Sequence, residues 1–210
     1  MGLTLSEATP SDFPAIVRAQ YAAFHPHESM HRILWPSPDP PTPTVLSRTV
    51  DRQLQAWQAD PHITWLKVTD DETGEVVAAA KWFVWAPESK TPDAKDGAAA
   101  AAAAAEFFQR RRERIQGPCV LLDQLFCAPA HQRRGAGKLL VKWGTQRADE
   151  LGVKGFVEAS FTGRRLYESC GFKVTEQVCL EGVNEKEEWK EYDKVEYLFM
   201  ERDATPLVAA

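Results

Sequence analysis

A turn of arginines and glycines follows an apolar stretch near the middle of this 210-residue chain, in the order Gln132-Arg133-Arg134-Gly135-Ala136-Gly137-Lys138-Leu139. Glycines let a backbone approach a ligand closely, and the first N–H groups of a helix have no partner within that helix. These N–H groups and the helix dipole attract a phosphate or pyrophosphate, and Arg133, Arg134 and Lys138 would add positive charge nearby. The pattern therefore predicts an anion-binding turn between a strand and a helix.

Two nucleotide-binding motifs of similar composition fail here at named positions. A P-loop needs Ser or Thr after its lysine, but Leu139 follows Lys138, and Gln132 stands where the first glycine belongs. A Rossmann turn needs a third small residue at the position of Leu140. Neither motif accounts for the turn.

Two carboxylates lie in apolar segments on either side of the turn. Asp123 is the carboxylate of the predicted strand Cys119–Cys127, and Glu158 belongs to the next predicted strand, Gly155–Ala159. Burying an unpaired carboxylate costs several kcal/mol, so we expect Asp123 to have a function or a partner. A carboxylate in such a place can act as a general acid or base, so Asp123 and Glu158 are candidate catalytic residues, either directly or through a chain of water molecules.

The elements that position these residues follow from hydrophobic periodicity and from turn residues. Thr9-Pro10-Ser11-Asp12 is typical of a helix start, and Gly171 suits the position after a helix C-terminus. The predicted helices are one after Asp12 that reaches Phe24, Val45–Ala59, one from the turn to Leu151, and Arg164–Cys170. The predicted strands are one at the N-terminus, Ile63–Thr69, Glu75–Trp85, Cys119–Cys127, Gly155–Ala159, Phe172–Leu180 and Val195–Met200.

Residues 86–118 have the character of an insertion. Eight alanines, Ala98 to Ala105, precede Phe107, Phe108 and a basic run that includes Arg111. Alanine is the best helix former, and basic residues suit a helix C-terminus. The pattern favours a solvated spacer helix over its alternative, a lid whose two phenylalanines point towards a site.

The composition indicates one ordinary globular domain over residues 1–210. Hydrophobic residues make up 44% and charged residues 26%, with a net charge of −5, which argues against a nucleic-acid binder. No apolar run is long enough to span a bilayer, and the N-terminus lacks the features of a secretory signal. Gly2 and Ser6 match a myristoylation pattern, but the alternation of Leu3 and Leu5 with polar residues favours a first strand.

The four cysteines, Cys119, Cys127, Cys170 and Cys179, form no CxxC pair and lie in or beside apolar segments. This usage indicates reduced, buried thiols and a cytoplasmic protein rather than a disulfide framework or a zinc site. A second metal motif, HExxH, occurs at His27-Glu28-Ser29-Met30-His31. It needs an unbroken helix, yet Pro26 and Pro36 bracket it and no standard third ligand is nearby. We therefore expect no metal.

The turn at 132–137 resembles the Gln/Arg-x-x-Gly-x-Gly/Ala signature of the GNAT superfamily of N-acetyltransferases. Pro129 precedes it, as a proline often does in that family, and Tyr167 with Gly171-Phe172 resembles the family's tyrosine helix. The resemblance is specific over Cys119–Val174 and topological over the first 85 residues. It implies an α/β (α+β) fold with a mixed, V-splayed central sheet flanked by helices, and acetyl-CoA as the co-substrate.

The resemblance also implies where acetyl-CoA binds. It places the pyrophosphate on the N–H groups of residues 134–139 and the pantetheine arm along Leu125-Phe126-Cys127, where the Cys127 N–H polarises the thioester carbonyl. Ser160 is placed to contact the pantetheine arm, and Tyr167 to serve the departing thiolate. An alternative for Tyr167 is a purely buried tyrosine with one satisfied hydroxyl.

The general base is where this sequence departs from histone-modifying members of the family. Their glutamate corresponds to Leu121 here, and Asp123 shares the face of Leu121 if no bulge intervenes. The departure weakens a protein-lysine activity and favours transfer of the acetyl group to an amine of a small molecule. A non-catalytic acyl-CoA-binding protein and a protein or peptide N-acetyltransferase are the alternatives.

The acceptor pocket is expected between the first two helices, lined by Phe24, His27, His31 and Trp35. The charged segment Glu181–Lys194 is expected to be a solvated hairpin, or else a border of the acceptor mouth that attracts a cationic amine. The acceptor itself, which ranges from a polyamine to an amino acid or a protein N-terminus, stays open. We expect a monomer or a homodimer.

Overall fold

A central sheet organises the molecule, whose computed structural model describes residues 2–24, 31, 34–35, 37–89, 102–181 and 194–206. The strands are β1 (Leu3–Glu7), β2 (Ile63–Asp70), β3 (Val76–Trp85), β4 (Cys119–Cys127), β5 (Lys154–Ala159), β6 (Lys173–Glu181) and β7 (Lys194–Arg202). The helices are α1 (Phe13–Phe24), α2 (Pro43–Ala59), α3 (Ala102–Arg114), α4 (Ala136–Leu151) and α5 (Arg164–Glu168). The predicted elements are confirmed, with ends that differ by one or two residues.

Helix boundaries follow local chemistry. The Thr9 backbone N–H donates to the Asp12 carboxylate, as the predicted helix start requires. Helix α2 begins two residues before the predicted Val45, because the Thr42 side chain accepts the Val45 N–H at 3.3 Å and caps the helix. Helix α5 ends two residues early, where Gly171 adopts a φ of 91° and turns the chain into β6.

The strand order is β1-β2-β3-β4-β5-β7-β6, and the pair β4–β5 is parallel while the other described pairs are antiparallel. Pairing of β4 with β5 runs from Cys119–Lys154 to Leu122–Val157 and stops there. Both strands continue past that point, β4 to Cys127 and β5 to Ala159, without pairing to each other. The sheet therefore opens into the predicted V.

A β-bulge lies at the apex of the V. Lys81 of β3 pairs with Gln124 and Trp82 pairs with Leu122, so Asp123 is the extra residue of β4. The prediction that Asp123 shares the face of Leu121 assumed no bulge, and that assumption was wrong. The Asp123 carboxylate still lies on the same face of the sheet as Leu121. It pairs with Lys81, which shares its face of β3 with Ala79 and Phe83, because every second residue of a strand points the same way. Ala79 and Phe83 pack in the same core as Leu121.

Helices cover both faces of the sheet. On one face α4 and α5 bury a core around Trp82, Leu140 and Tyr167. On the other face α1 and α2 bury Phe13, Trp65, Leu121, Phe126 and their neighbours. The two cores place β4 and β5 in the middle of the molecule, with the opening of the V between them.

Helix α3 packs against the second face over β6 and β7, so the favoured interpretation of the insertion as a solvated spacer was wrong for its described part. Phe107 is 4% exposed in a cluster with Val178, Leu180, Val195 and Tyr197, and Phe108 packs against this cluster. Arg111, one turn further along, is also buried. Both phenylalanines are turned inward, as in the alternative interpretation, but they pack on β6 and β7, and the role of the helix as a lid over a site stays a prediction.

Cys119, Cys127 and Cys170 are free thiols. Cys119 is buried, and burial raises the pKa of its thiol to about 12, which makes it unreactive at neutral pH. The expectation of buried thiols was wrong for Cys179, which is exposed, and holds only in part for Cys127 and Cys170, which are half-buried. Among the described residues, no helix is both long and apolar enough to cross a membrane.

Candidate active site

The turn before α4 presents a set of backbone donors at one end of the V. Arg133 and Gly135 have left-handed φ values of 64° and 97°, and Gly135 forms the N-cap of α4. The N–H groups of residues 134–137 donate to no group in the part of the chain that the structure describes. Those of Lys138 and Leu139 donate to the Gly135 carbonyl at 3.0 and 3.2 Å. The available donors therefore span 134–137, a narrower range than the predicted 134–139.

The two arginines of the turn have different tasks. The Arg134 guanidinium donates to the Asp70 carboxylate at 2.6 Å and lies 2.9 Å from His131 Nδ1. This hydrogen bond from Arg134 lowers the pKa of Asp70 and ties the turn to the end of β2. Arg133 and Lys138 are exposed and have no ion-pair partner among the described residues. Their charges are thus available to an anion, whereas the charge of Arg134 is already paired.

Beyond Leu122, the edge of β4 that faces β5 pairs with no other described strand. The Ala128 N–H donates to the Val77 carbonyl of β3 at 2.9 Å. Successive N–H groups alternate between the two edges of a strand, so the N–H groups of Cys127 and Leu125 point to the edge opposite β3. That edge faces the gap between β4 and β5. Phe126, between them, is 2% exposed and packs under α1. An extended ligand can therefore pair with residues 125–127 as an added strand.

Asp123 and Glu158 are the first residues of β4 and β5 beyond their last paired position. Arg111 of α3 reaches between them: its Nη1 donates to Asp123 Oδ1 at 2.7 Å and its Nε to Glu158 Oε2 at 2.9 Å. Lys81 Nζ lies 3.0 Å from the other Asp123 oxygen. The structure thus brings both predicted carboxylates together at the apex, and it adds two cations to them.

These contacts set the ionisation of the cluster. Burial would raise the pKa of Asp123, but Lys81 and Arg111 outweigh it and hold that pKa at about 2. Burial likewise opposes the charge of Arg111, but the Glu158 and Asp123 carboxylates outweigh it and raise the pKa of the guanidinium. Asp123 is therefore ionised at neutral pH and is a poor proton acceptor while both cations stay in place.

Tyr167 and Ser160 lie on the other side of the gap, on and before α5. Tyr167 is 7% exposed, packs edge-on against Phe172, and its hydroxyl bonds to no described residue. Burial raises the pKa of the Tyr167 hydroxyl above its usual value of 10, so it stays a proton donor at neutral pH. The Ser160 hydroxyl accepts the Gly163 N–H at 3.3 Å and lies 3.0 Å from Thr162 Oγ1, which orders the turn into α5.

Three residues that were expected to line the acceptor pocket, Phe24, His31 and Trp35, lie close together, and their role in acceptor binding stays a prediction. His31 is 4% exposed, and its ring centroid lies 4.9 Å from that of Tyr21 and 5.3 Å from that of Phe24. Phe24 in turn contacts Phe126 of β4 at 5.7 Å, which connects this aromatic group to the open strand. His31 Nε2 lies 3.1 Å from the Gln20 amide, and Trp35 stacks near its ring at 6.5 Å. His27 lies outside the described residues, as does the interior of the segment Glu181–Lys194.

Sequence reasoning missed three residues of this site: Arg111, Lys81 and Asp70. Arg111 was recognised only as one member of a basic run. A signal was available, because Phe107 and Arg111 are spaced i, i+4 and therefore share one face of a helix. Lys81 stood as a lone cation within the apolar strand Val76–Trp85, which is the same kind of signal that singled out Asp123.

The described residues form an α/β fold whose sheet opens between two parallel strands, beside a turn whose N–H groups at residues 134–137 bond to no described group. This arrangement suits an extended, anionic ligand. A family model described as the acetyltransferase (GNAT) family matches residues 27–172, more than half of the chain. The chain therefore belongs to the acetyltransferase (GNAT) family, which confirms the resemblance predicted from the turn.

Individual relatives are distant. A probable acyltransferase, SID5, from Ajellomyces capsulatus is 23% identical over 125 residues, which cover 60% of this chain and 68% of that protein. A structure of histone acetyltransferase HPA2 and related acetyltransferase from Corynebacterium glutamicum superposes with a TM-score of 0.63 at 23% identity, over 99% of this chain and 100% of that one. A phosphinothricin acetyltransferase from Sinorhizobium meliloti in complex with acetyl-CoA gives 0.60 at 14% identity, over 100% and 96%. These likenesses establish the fold.

Proposed function

We propose that this protein is an N-acetyltransferase that moves the acetyl group of acetyl-CoA directly to an amine of a small molecule. The observation that carries the proposal is the opening of the sheet beyond Leu122 and Val157, with free N–H groups at residues 134–137 beside it. The similar acetyltransferase from Sinorhizobium meliloti holds acetyl-CoA in its structure, which supports the same co-substrate here.

The proposed binding mode uses backbone groups for most of the cofactor. The pyrophosphate binds the N–H groups of residues 134–137, and Arg133 and Lys138, which have no ion-pair partner among the described residues, supply positive charge beside it. The pantetheine arm pairs with the open edge of residues 125–127. Leu125 lies two residues nearer the apex than the predicted donor Cys127, so Leu125 is the better-placed N–H for the thioester carbonyl, and Cys127 takes a pantetheine amide.

In the transfer step, the lone pair of the neutral amine attacks the thioester carbon, and the carbon–sulfur bond breaks after a tetrahedral intermediate forms. The Tyr167 hydroxyl donates a hydrogen bond or its proton to the departing thiolate, and the amine nitrogen releases one proton. Asp123 and Glu158 are the proposed acceptors for that proton. Arg111 donates hydrogen bonds to both carboxylates, so neither accepts the proton until the Arg111 side chain moves away.

A small acceptor is favoured over a peptide because the apex is covered. The side chain of Glu158 is 4% exposed and that of Asp123 is 12% exposed, since α3 lies over the acceptor side of the gap. A protein segment would need an open groove at this place. The same coverage is compatible with a protein that binds acyl-CoA and transfers nothing, so turnover must be measured as well as binding.

Thermal stability with and without ligand tests the cofactor. Acetyl-CoA should raise the melting temperature by mass action, and NAD or ATP with magnesium should not. Gly137→Glu should abolish the shift by placing a carboxylate where phosphate binds. Gly137→Gln is the matched control, because it adds a side chain of the same size without charge beside Leu166, whose methyl group a Cβ would approach to 3.0 Å. Stabilisation by ATP but not by acetyl-CoA would refute the assignment.

Release of free CoA in the presence of an amine panel tests transfer. An enzyme releases CoA in proportion to acetylated amine, whereas a non-catalytic binder shows the thermal shift and no release. The panel should contain polyamines, arylamines, amino acids and a peptide with a free N-terminus. Acetylation of the peptide alone would replace the small-molecule proposal with the peptide alternative.

A further inference from the structure

Arg111 occupies a position that an acceptor amine would have to use. Asp123 and Glu158 are the carboxylates at the apex of the V, where the acetyl group must meet its acceptor if the cofactor pairs with residues 125–127. The guanidinium lies between them with its Nε, Nη1 and Nη2 all donating to their oxygens. Any cation that approaches these carboxylates therefore competes with Arg111.

Among the described residues, the four charged side chains that pair at the apex balance one another with Arg111 in place. Lys81 and Arg111 contribute two positive charges, and Asp123 and Glu158 contribute two negative ones. Without Arg111 the cluster keeps one net negative charge in a buried place, which favours uptake of another monovalent cation. A protonated amine carries the same charge as the guanidinium, so the exchange leaves the apex neutral. An anionic acceptor group would instead meet two carboxylates that already lie there.

The position of Arg111 is held by a helix outside the central sheet rather than by the sheet itself. Phe107, four residues earlier, anchors α3 against Tyr197 at 5.2 Å, and Arg114 pairs with Glu176 of β6. The Arg111 guanidinium lies 4.9 Å from the centroid of the Phe107 ring, but the Phe107–Tyr197 contact and the Arg114–Glu176 pair do not involve Arg111. The helix can therefore stay docked on β6 and β7 while the long Arg111 side chain leaves the carboxylates.

We propose that Asp123 and Glu158 form the binding site for the protonated amine of the acceptor, and that Arg111 fills this site until the acceptor displaces it. The inference rests on the proposed acetyl transfer and names its acceptor class, a small cationic amine. Arg111 is then a specificity-determining residue. It prevents weakly binding cations from reaching the two carboxylates, and it is displaced by an acceptor that makes further contacts in the pocket.

Kinetics of Arg111→Met test the proposal, with 1,4-diaminobutane and a series of primary alkylamines as probes. Removal of the resident cation should lower the KM of the cationic amine by about tenfold or more and leave the acetyl-CoA Kd, measured by calorimetry, unchanged. Arg110→Met is the matched control, because Arg110 lies on the same helix and, among the described residues, forms its ion pair with exposed Glu106 rather than with the apex carboxylates. Its KM should stay at the wild-type value. An unchanged or increased KM for Arg111→Met, with acetyl-CoA still bound, would overturn the proposal.

A second variant covers the risk that Arg111→Met folds poorly. The double variant Arg111→Met/Asp123→Asn removes one cation and one anion, so the charges of the remaining pair, Lys81 and Glu158, cancel. It should fold, and the decrease in KM should disappear because one of the two binding carboxylates is gone. A persisting decrease would contradict the proposal.

Binding of the diamine without acetyl-CoA tests the proposed cation site separately from the proposed acetyl transfer. 1,4-Diaminobutane should raise the melting temperature of Arg111→Met and not that of the double variant. If acetyl-CoA fails to bind any variant while this shift appears, the proposed transfer is wrong and the cation site stands. If acetyl-CoA binds and the shift is missing, the cation site is wrong and the transfer stands.

Discussion

At the scale of single residues, neighbours in one basic run have different physical roles. Arg110 is exposed and pairs with Glu106 one turn away, whereas Arg111 is buried between two carboxylates. An exposed pair contributes up to about 1 kcal/mol, while breaking a buried pair by removing one partner costs about 3–5 kcal/mol. The chemistry at the apex therefore depends on which arginine the helix turns inward.

Tyr167 is the residue with the sharpest kinetic prediction. Its hydroxyl is expected near the CoA sulfur, where charge develops only as the thioester breaks. Removal of the hydroxyl should therefore destabilise the transition state and leave substrate binding unaffected. General acid–base groups accelerate a reaction by about 10²–10⁴-fold. Because a thiolate is an adequate leaving group without full protonation, Tyr167→Phe should lower kcat by about 10²-fold, the low end of that range. Acetyl-CoA affinity should barely change, because the ring and its contact with Phe172 remain.

The measurement for Tyr167 combines kcat, the acetyl-CoA Kd and the melting temperature on one preparation. A tyrosine that is only part of the core predicts a small loss of stability and normal turnover. An unchanged kcat with a rate-limiting chemical step would remove Tyr167 from the mechanism. Phe172→Leu, which alters the same packing without touching the hydroxyl, is the control.

Asp123 should make stability depend on pH in the acid range. Its pKa of about 2 in the folded protein lies below the usual value near 3.9, so its stabilisation is fully present above pH 4 and is lost as the pH falls towards 2. The shift corresponds to about 2–3 kcal/mol. Urea unfolding should show Asp123→Asn less stable than wild type at pH 7, with the gap narrowing below pH 4.

The control for this pH dependence is Asp51→Asn on the exposed face of α2. It should track the wild type at every pH. A constant gap between Asp123→Asn and wild type from pH 7 to pH 3 would show that Lys81 and Arg111 do not depress the pKa of Asp123.

At the scale of elements, the sequence predicted the strands, most helices and the turn, because periodicity and glycine positions are local signals. Gly135 and Gly171 adopt the positive φ values that their predicted places require. Two features escaped prediction for physical reasons. The bulge at Asp123 depends on the register between β3 and β4, and the docking of α3 depends on a surface formed by β6 and β7, distant in sequence. Both determine the environment of the predicted carboxylates.

Helix α4 offers a test of packing at this scale. A Cβ on Gly144 would lie 2.2 Å from the Trp82 ring, far inside van der Waals contact. Gly144→Ala should therefore destabilise the protein by about 1–3 kcal/mol through overpacking, although alanine is the better helix former. Chemical unfolding measures the change. In the Gly144→Ala/Trp82→Phe double variant, the smaller ring should relieve the clash, so the loss should be less than the sum of the two single losses. Additive losses would contradict this packing.

At the scale of the whole molecule, the sheet consists of two halves joined by the short parallel pairing of β4 with β5. Four residue pairs, from Cys119–Lys154 to Leu122–Val157, hold the halves together, and each half has its own further strands. Helix α3 belongs to the chain between β3 and β4 but packs on β6 and β7, so it links the halves across the apex through Arg111. Ligands that bind in the opening act on the same junction.

Hydrogen exchange at single amides tests how the cofactor completes this junction. The Leu125 and Cys127 N–H groups face the opening, whereas the Phe126 N–H faces β3, as the alternation from the Ala128–Val77 hydrogen bond requires. Without ligand, the amides of Leu125 and Cys127 should exchange faster than that of Phe126. Saturating acetyl-CoA should slow exchange at Leu125 and Cys127 and leave Phe126 nearly unchanged, because only the first two gain hydrogen bonds. Equal protection of all three amides would indicate general stabilisation of the fold instead of strand-like pairing, and no protection with acetyl-CoA bound would place the cofactor outside the V.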